Sequence, residues 1–582
     1  MCGFYAYISK KKIDPIINKK IDDLDFFLAH RGPDSQKKIV GSNYIFKHWR
    51  LQIQDLDARS NQPFYDKSSL LLFNGEIYNY KKIKKKLEQN YNFETTGDTE
   101  VLFKALSILG KDKTLNLLEG MFSFLHFDKN SKEIFLARDR FGQKPLYYYI
   151  DKSKFIISSE IKAIISTLKK KETEIDILQI EKYLYENKYM SGCDTNFLNI
   201  KQLDLGECLS FKNFELKIEK YYTKKNIYKK KIKFTNNHFK KALIETVGKH
   251  MIADKEICIS LSGGIDSQSL AHLVKSSKYS YNLKRAYCFE YENFYSESKV
   301  AGEYAKYLKI PFTKVTITKN DIIKNFKSLV QINEGPIGGM ANISMLKLCE
   351  EVKNDGFNIL LAGYGMDEVI YGYNSLNYLN KKKTIASNFS IPDIYDFTNY
   401  HQKYLNDYNY SLAQVKRNEL IFDTKIPRTV GMCDRFSMIN SVELRLPFLD
   451  HKFIQEASNY SYDSYFYKDD LSISKKPLRE FMNLNSNYKK KWKIKKNHNP
   501  TPQDEWLLEE PIKSWVEDHL FDAKLYKDND FLCKKKISIA WKKFKSQKRE
   551  KGYFFWQLLN IYYLKNIANF EKKALIDNQY FS

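Results

Sequence analysis

The first 210 residues or so consist of short apolar segments broken by polar turns, a pattern that predicts short β-strands with a few helices. Segments rich in β-branched and aromatic residues recur between polar turns, as in YIFKHWRLQIQDL (44–56), SLLLFNGEIYNY (69–80) and KFIISSE (154–160). One helix is predicted in DTEVLFKALSILG (98–110), where apolar residues recur every three or four positions. Its expected N-cap is Asp98 or Thr99, and Gly110 is its expected end.

After residue 234 the pattern changes to strands that alternate with helices. EICISLSGGIDSQSLAHLVKSSK (256–278) predicts a buried strand, a glycine turn and a helix, and KRAYCFEYEN (284–293) and NILLAGYGMDEVIYGYN (358–374) continue the alternation. Such alternation predicts a parallel sheet covered by helices. From about residue 395 the segments are predicted to be mostly helical. The charged stretch YTKKNIYKKKIKF (222–234) has little periodicity and marks a linker, which we place at 213–234.

Composition limits the class of protein. The 582 residues are 43% apolar, enough for two large domains or three to four smaller ones. Eight scattered cysteines, without a CxxC pair, argue against a zinc site or a disulfide framework and favour a reducing compartment. No apolar run approaches the ~20 residues of a membrane span, and the N-terminus lacks the layout of a secretory signal. We therefore expect a cytoplasmic protein without a membrane partner.

The net charge of +26 raises the question of a nucleic-acid partner. The lysines fall in short runs at 10–12, 84–86, 229–231 and 489–491, spread over almost every region. Nucleic-acid binders concentrate basic residues on one face, so solvated helix faces explain this pattern better.

The segment SGGIDS (262–267) is the clearest candidate for chemistry. Gly263 and Gly264 would let backbone amides approach a polyphosphate, and the following helix would present its N-terminus. Asp266 offers a carboxylate to Mg²⁺. Asp367 follows another apolar strand and would reach the same sheet edge as a second ligand. A tight turn without a ligand is the alternative explanation of the glycine pair.

The N-terminus MCGFYAYISK raises a second possibility. Removal of Met1 would leave Cys2 with both a thiol and an α-amine, and such an amine can act as the base for its own nucleophile. An incidental cysteine at the start of a strand is the plainer interpretation. Turn-rich polar clusters elsewhere supply candidate binding groups. Arg50 could bind a carboxylate, Asp98 an ammonium group, and Asn74 with the Gly75 amide an oxyanion.

Taken together, the segments resemble the glutamine-hydrolysing asparagine synthetases of the B type. The shared order is Cys2, HRGPD (30–34), NGEIYN (74–79), TGDTE (96–100), RDRFGQKPLYY (138–148), SSEIKAI (158–164), SGGIDS, GMDE (365–368) and SVELRLPFLD (441–450). The resemblance runs from residue 2 to about residue 480. It implies an N-terminal four-layer αββα glutaminase domain of the N-terminal-nucleophile hydrolase type (2–212). It also implies an α/β parallel-sheet ATP-pyrophosphatase domain with a helical C-terminal part (235–582).

The resemblance implies that Cys2 attacks the side-chain amide of glutamine while its own amine moves the proton. Asn74 and Gly75 match the oxyanion hole. The implied glutamine-binding set is Arg50, Leu51, Ile53, Asn74, Gly75, Glu76 and Asp98.

In the second domain, the resemblance implies that ATP adenylates the side-chain carboxylate of aspartate. Ammonia, carried through an internal tunnel, would then form asparagine and leave AMP and pyrophosphate. The implied ATP-binding set is Leu261, Ser262, Gly263, Gly264, Asp266, Ser267, Phe289, Ala362 and Gly363. Asp266 and Asp367 match the Mg²⁺ ligands, and Lys475 matches a lysine that neutralises developing charge. Relatives are often homodimers.

One loop departs from the family pattern LSGEGxDE. The chain has LAGYGMDE (361–368), with Ala362, Tyr364 and Met366 at the variable positions, so Tyr364 takes the place of a catalytic glutamate. Aspartate is the default acceptor, and the alternative is another carboxylate, such as a uronic acid or an antibiotic-type precursor. Two further hypotheses are an enzyme that adenylates a base in tRNA and an inactive paralogue. The intact Cys2, Asp266 and Lys475 argue against the paralogue.

Overall fold

The computed structural model describes residues 2–186, 192–228, 235–373, 412–488, 492, 501–527, 529, 531–547 and 552–568. Within these residues the strands form three sheets, two antiparallel and one parallel. The strands are β1 Cys2–Ser9, β2 Ser35–Val40, β3 Tyr44–Arg50, β4 Phe64–Tyr65, β5 Ser69–Ile77, β6 Gly120–Asp128, β7 Ile134–Arg138, β8 Tyr147–Ile150, β9 Lys154–Ser158, β10 Ile200–Gln202, β11 Glu207–Lys212, β12 Glu215–Lys220, β13 Ile257–Ser260, β14 Leu283–Tyr291, β15 Phe312–Ile317, β16 Ile359–Leu361 and β17 Glu443–Arg445.

The α-helices are divided between both halves of the chain. They are α1 Pro15–Asp22, α2 Asp25–Leu28, α3 Tyr80–Leu87, α4 Asp98–Leu109, α5 Lys111–Leu117, α6 Ile161–Thr167, α7 Ile177–Glu186, α8 Asn236–His250, α9 Ile265–Lys275, α10 Ser298–Tyr307, α11 Lys319–Asn333, α12 Ala341–Asn354, α13 Met366–Val369, α14 Leu412–Asn418, α15 Lys425–Met438, α16 His451–Ser458, α17 Lys476–Asn485, α18 Gln503–Trp506, α19 Ile512–Phe521, α20 Ala523–Tyr526, α21 Lys534–Gln547 and α22 Tyr553–Ala568.

The first half consists of two stacked antiparallel sheets between helices. Their strand orders are β10-β8-β9-β1-β3-β2 and β12-β11-β7-β6-β5-β4. Along β5 the side chains alternate: Leu70 and Leu72 point into the core between the sheets, and Leu71 and Phe73 into the core beneath α3 to α5. This period of two is what a strand buried on both faces requires. Helices α1, α2 and α6 cover the other sheet, so the predicted αββα architecture is confirmed.

Two local expectations need correction. Strand β12 lies inside the range 213–234 that was expected to be linker, and it pairs with β11 in register Glu207↔Lys220. The sheet of the first half therefore extends to residue 220, and residues 229–234 of the expected linker lie outside the described residues. Helix α4 has Gly97 as its N-cap residue, and Asp98 is its first helical residue, because the Asp98 carboxylate binds the N–H of Ile77 instead of capping α4. Gly110 ends α4 as expected.

The second half is built on a parallel sheet with strand order β15-β14-β13-β16-β17. From β13 the chain adds β14 and β15 on one side, and β16 and β17 lie on the other side. The order therefore reverses between β13 and β16, and such a switch point leaves a crevice beyond the carboxyl ends of the strands. The predicted parallel sheet and helical C-terminal part are confirmed. The three-residue strand β17 lies within the region expected to be mostly helical.

All eight cysteines are free. In the part of the chain that the structure describes, no helix is both long and apolar enough to cross a membrane.

Candidate active sites

Cys2 begins β1, where it pairs with Arg50 of β3. Its side chain is buried, and its backbone N–H donates to Asn74 Oδ1 at 3.0 Å. Burial raises the pKa of the Cys2 thiol, and the N–H of Leu51 and the charge of Arg50 act against that rise. The sheet register thus brings a thiol, a main-chain nitrogen and a side-chain amide together. Leu51 is buried beside them.

Strand β5 places Asn74 against Cys2, with Gly75 directly after it. Asn74 Nδ2 is buried and, among the described residues, has no hydrogen-bond partner. Gly75 has φ +151°, and a Cβ there would lie 2.1 Å from the carbonyl oxygen of Met121. Only glycine fits so close to β6. The arrangement leaves the buried Asn74 amide nitrogen without an acceptor among the described residues, as an oxyanion site requires.

Arg50 ends β3 with its guanidinium fixed in the loop that follows. It donates to the carbonyl of Asp57 at 2.9 Å, to Asn61 Oδ1 at 2.8 Å and to the carbonyl of Asp55. The same loop holds Ile53, which is buried and whose carbonyl accepts the N–H of Asp254 from the second half at 3.0 Å. Arg50 is therefore a rigidly held cation one strand away from Cys2.

Two buried carboxylates lie close to this part of β5, one on the strand itself and one on α4. Glu76 accepts a hydrogen bond from Gln54 Nε2, and Asp98 accepts the N–H of Ile77 at 2.8 Å. Burial raises the pKa of Asp98 to about 6. Burial, followed by the charges of Glu443 and Asp98, raises the pKa of Glu76 well above its usual range. These carboxylates are poised to gain from a positive ligand, because an ammonium group would offset their desolvation.

A cavity of about 610 Å³ opens at the carboxyl ends of β13, β14 and β16. Eight of the nine residues expected to bind ATP line it, and they are Ser262, Gly263, Gly264, Asp266, Ser267, Phe289, Ala362 and Gly363. Leu261 does not line the cavity, because its side chain is buried in the core and its N–H donates to the carbonyl of Tyr287 at 2.8 Å.

The hydroxyl groups of Ser262 and Ser267 hold the glycine turn after β13 in place. Ser267 Oγ accepts the N–H of Ser262 at 2.9 Å, and Ser262 Oγ accepts the N–H of Gly264 at 3.1 Å. The N–H of Gly263 donates to Glu297 Oε2 at 3.1 Å. Helix α9 starts at Ile265, directly after this turn. A helix N-terminus with adjacent main-chain amides is a suitable site for phosphate.

Lys475 reaches into the same cavity between two carboxylates. Its Nζ lies 2.6 Å from Asp367 Oδ1 and forms a second ion pair with Asp266. Although burial opposes the charged form, Asp266 and Asp367 raise the pKa of Lys475. Its backbone has φ +61°, and the neighbouring Gly372 leaves no space for a Cβ, which would lie 2.2 Å from Lys475 Cε. The surroundings thus fix this ammonium group.

The donors also suit a divalent cation. Asp266 and Asp367 line one cavity and converge on one ammonium group, and Mg²⁺ binds through one or two carboxylates together with substrate phosphates. Among the residues that the structure describes, no three His, Cys, Asp or Glu side chains form a metal cluster by themselves. A site completed by phosphate oxygens fits this donor set.

The variable loop places its three residues differently. Tyr364 lines the cavity with 40% of its surface exposed, whereas Ala362 and Met366 are buried. Gly365 has φ +97°, and a Cβ there would collide with Leu449. The loop therefore directs Tyr364, and not Met366, toward a ligand.

The sequence did not predict three contributors. Glu297 accepts the N–H of Gly263, and Tyr373 donates to Glu368 in the cavity wall. Nη2 of Arg445, in the second half of the chain, lies 3.5 Å from Oε2 of Glu76 in the first half. Arg445 lies in the motif SVELRLPFLD, which carried the resemblance without a role for this residue. Glu297 and Arg445 pair with residues from distant segments, which gives no local signal, so only the fold reveals these two contacts.

Models of two protein families match the chain. A glutamine amidotransferase domain matches residues 1–222, and asparagine synthase matches residues 238–571.

Three curated proteins are similar in sequence to parts of this chain. Glutamine-hydrolyzing asparagine synthetase 1 of Bacillus subtilis is 30% identical over 64% of this chain, and the match spans 59% of that protein's length. Synthetase 3 of the same organism is 25% identical over 87% of this chain and 89% of its own length. An amidase of Gibberella zeae is 26% identical over 64% of this chain and 60% of its own length.

Proposed function

This chain belongs to the asparagine synthase family, and on that premise we propose that it is a glutamine-hydrolysing asparagine synthetase. The observation that carries the proposal is that one chain contains both kinds of site. In the first half, Cys2 lies next to the buried side-chain amide of Asn74. In the second half, Lys475 lines the same cavity as the glycine turn 262–264 and pairs with Asp266.

In the first half, removal of Met1 gives Cys2 a free α-amine, which takes the thiol proton as the sulfur attacks the side-chain amide carbon of glutamine. Asn74 Nδ2 and the Gly75 N–H donate to the oxyanion of the tetrahedral intermediate. The amine returns the proton to the departing ammonia, and water hydrolyses the thioester to glutamate. Arg50 pairs with the α-carboxylate of glutamine, and Glu76 and Asp98 bind its α-ammonium group.

In the second half, the aspartate side-chain carboxylate attacks the α-phosphorus of ATP and pyrophosphate leaves. Ser262, Gly263, Gly264 and Ser267 at the N-terminus of α9 bind the pyrophosphate, whose oxygens replace Glu297 and Ser262 Oγ as acceptors of the two glycine N–H groups. Lys475 neutralises charge on the phosphate and acyl oxygens. Asp266 and Asp367 would hold Mg²⁺, which supplies further charge neutralisation when bound. Ammonia attacks the acyl-adenylate and gives asparagine and AMP.

The direct test is pyrophosphate release from purified protein with Mg-ATP and glutamine, with and without aspartate, and with the products identified by mass spectrometry. Aspartate-dependent release together with asparagine supports the proposal. Glutamine hydrolysis without aspartate-dependent pyrophosphate would refute aspartate as the acceptor.

All eight cysteines are free, which supports a reducing compartment such as the cytoplasm. Sedimentation of the same sample would test the expected homodimer.

Tyr364 favours one second candidate, the same chemistry with another carboxylate as acceptor. Its exposed face presents a phenol at a position where the family has a carboxylate. A neutral phenol cannot provide the charge that a glutamate would offer to an acceptor or to ammonia. A panel of uronic acids in the pyrophosphate assay tests this candidate. Release with a uronic acid and not with aspartate would favour it.

A further inference from the structure

Arg445 crosses from the second half toward the glutamine-binding residues of the first. Its side chain is fully buried and donates to Glu443 Oε1 at 2.6 Å and to the carbonyls of His250 at 2.7 Å and Ile252 at 2.8 Å. Its Nη2 lies 3.5 Å from Glu76 Oε2. Three fixed acceptors therefore hold the guanidinium in a single orientation beside Glu76.

The backbone of Arg445 belongs to the wall of the other site. Arg445 pairs with Leu361 across β16 and β17, and its carbonyl accepts the N–H of Ala362 at 3.0 Å. Ala362 and Gly363 line the cavity expected to bind ATP. A single residue thus touches the nucleotide loop through its backbone and the glutamine-binding carboxylate through its side chain.

Three buried carboxylates, two of them paired with Arg445, lie around Glu76. They are Glu76 itself, Asp98 and Glu443. Although burial opposes ionisation, positive charges that include Arg445 lower the pKa of Glu443 to about 2. The charge of Glu443 in turn helps to raise the pKa values of Glu76 and Asp98. An ammonium group brought by a ligand would meet the negative potential of these three carboxylates.

We propose that Glu443 and Arg445 are positioning residues for the α-ammonium group of glutamine, so that strand β17 of the second half completes the glutamine site of the first. Arg445 orients the Glu76 carboxylate, and Glu443 adds negative potential without touching glutamine. The proposal rests on the glutaminase activity proposed above. The second half of the chain then contributes to the selection of glutamine, because part of the negative charge that attracts the α-ammonium group comes from Glu443 on β17.

The test compares glutamine with glutaramate, which has the same amide and distal carboxylate but lacks the α-ammonium group. Ammonia release is measured for the wild type, Glu443→Gln, Glu443→Asp and Arg445→Lys. Because a buried charge acts on a cation several ångströms away without contact, Glu443→Gln should raise the KM for glutamine about tenfold. The kcat/KM for glutaramate should change by less than about twofold. Glu443→Asp keeps the charge and should recover part of the loss, and Arg445→Lys should raise the glutamine KM as Glu443→Gln does.

Glu290→Gln is the matched control, since Glu290 is a strand carboxylate of the same sheet that pairs with Lys314 at 2.8 Å, away from the glutamine site. This variant should leave the KM for glutamine and the kcat/KM for glutaramate unchanged. Ammonia-dependent pyrophosphate release checks that each variant is folded. Equal losses for glutamine and glutaramate would overturn the inference, because a merely structural role affects both substrates. No ammonia release by the wild type would instead refute the glutaminase itself.

Discussion

Asn74 lies in the middle of β5 with its two amide atoms in different surroundings. Oδ1 accepts the Cys2 N–H at 3.0 Å, and the buried Nδ2 has no hydrogen-bond partner among the described residues. Leaving a buried donor unpaired costs about 1–3 kcal/mol, which is explained if an oxyanion receives this N–H during the reaction.

Replacing Asn74 by alanine should therefore remove one oxyanion donor. We expect the glutaminase kcat to fall about 100- to 1000-fold, while pyrophosphate release supported by added ammonia stays near the wild-type rate. Steady-state assays of both activities check this. Equal loss of the two activities would indicate misfolding, and an unchanged glutaminase would exclude Asn74 from the oxyanion site.

Asp98 gives a prediction about pH. Burial raises its pKa to about 6, so the carboxylate is ionised above that pH and gains a proton as the pH falls through it. Binding of the α-ammonium group needs the ionised form. We expect the KM for glutamine to rise below about pH 6 and the KM for glutaramate to stay flat, in a profile from pH 5 to 8. A flat KM for glutamine would remove Asp98 from the ammonium site.

Gly372 tests the fixed geometry of Lys475. A Cβ there would lie 2.0 Å from Asp367 Oδ1 and 2.2 Å from Lys475 Cε. Because a displacement of about 1 Å can cost about 100-fold in rate, Gly372→Ala should reduce pyrophosphate release by that order and spare the glutaminase. Gly248→Ala is the control, since a Cβ there meets nothing within 4 Å. Normal pyrophosphate release by Gly372→Ala would contradict the account of Lys475.

At the scale of the element, long periodic segments were predictable from sequence and short ones were not. The strands around 44–56 and 69–80 were predictable from their β-branched and aromatic residues, and the helix at 98–110 from its hydrophobic period. They appear as β3, β5 and α4. Residues 441–450 contain the three-residue strand β17, which is too short to show a period. It forms because β16 offers an open edge in register with it.

The same limit applies to the sites. The motif SGGIDS predicted residues that lie together in one segment, and eight of the nine expected ATP-binding residues line one cavity. Partners from distant segments, such as Glu297 and Arg445, depend on tertiary packing and carry no local pattern. The exposed β12 was expected to be linker because its charged residues hide its alternation. β12 forms as a strand because it pairs with β11 in the folded protein.

At the scale of the whole molecule, a buried ion cluster joins the halves. Asp434 on α15 accepts Arg31 Nη2 at 2.8 Å and Lys144 Nζ at 3.2 Å, and Arg31 Nε also donates to the carbonyl of Cys2 at 3.1 Å. The first residues of α15 line the nucleotide cavity. The cluster therefore fixes both catalytic regions against each other.

Asp434→Asn should remove the carboxylate partner of the buried Lys144 and leave the buried Arg31 with Glu160 alone. Breaking a buried pair costs about 3–5 kcal/mol, so we expect a clearly lower thermal midpoint in calorimetry. Asp22→Asn, which breaks the exposed pair with Lys38, should change stability by less than about 1 kcal/mol. Similar shifts for both variants would show that the cluster does not hold the halves together.

The measurement that tests the central claim most directly follows the glutamine nitrogen. Purified protein receives Mg-ATP, aspartate and glutamine labelled with ¹⁵N in the side-chain amide, and mass spectrometry locates the label. The account predicts ¹⁵N-labelled asparagine, with one AMP and one pyrophosphate formed for each asparagine. Labelled ammonia and glutamate without labelled asparagine would contradict it.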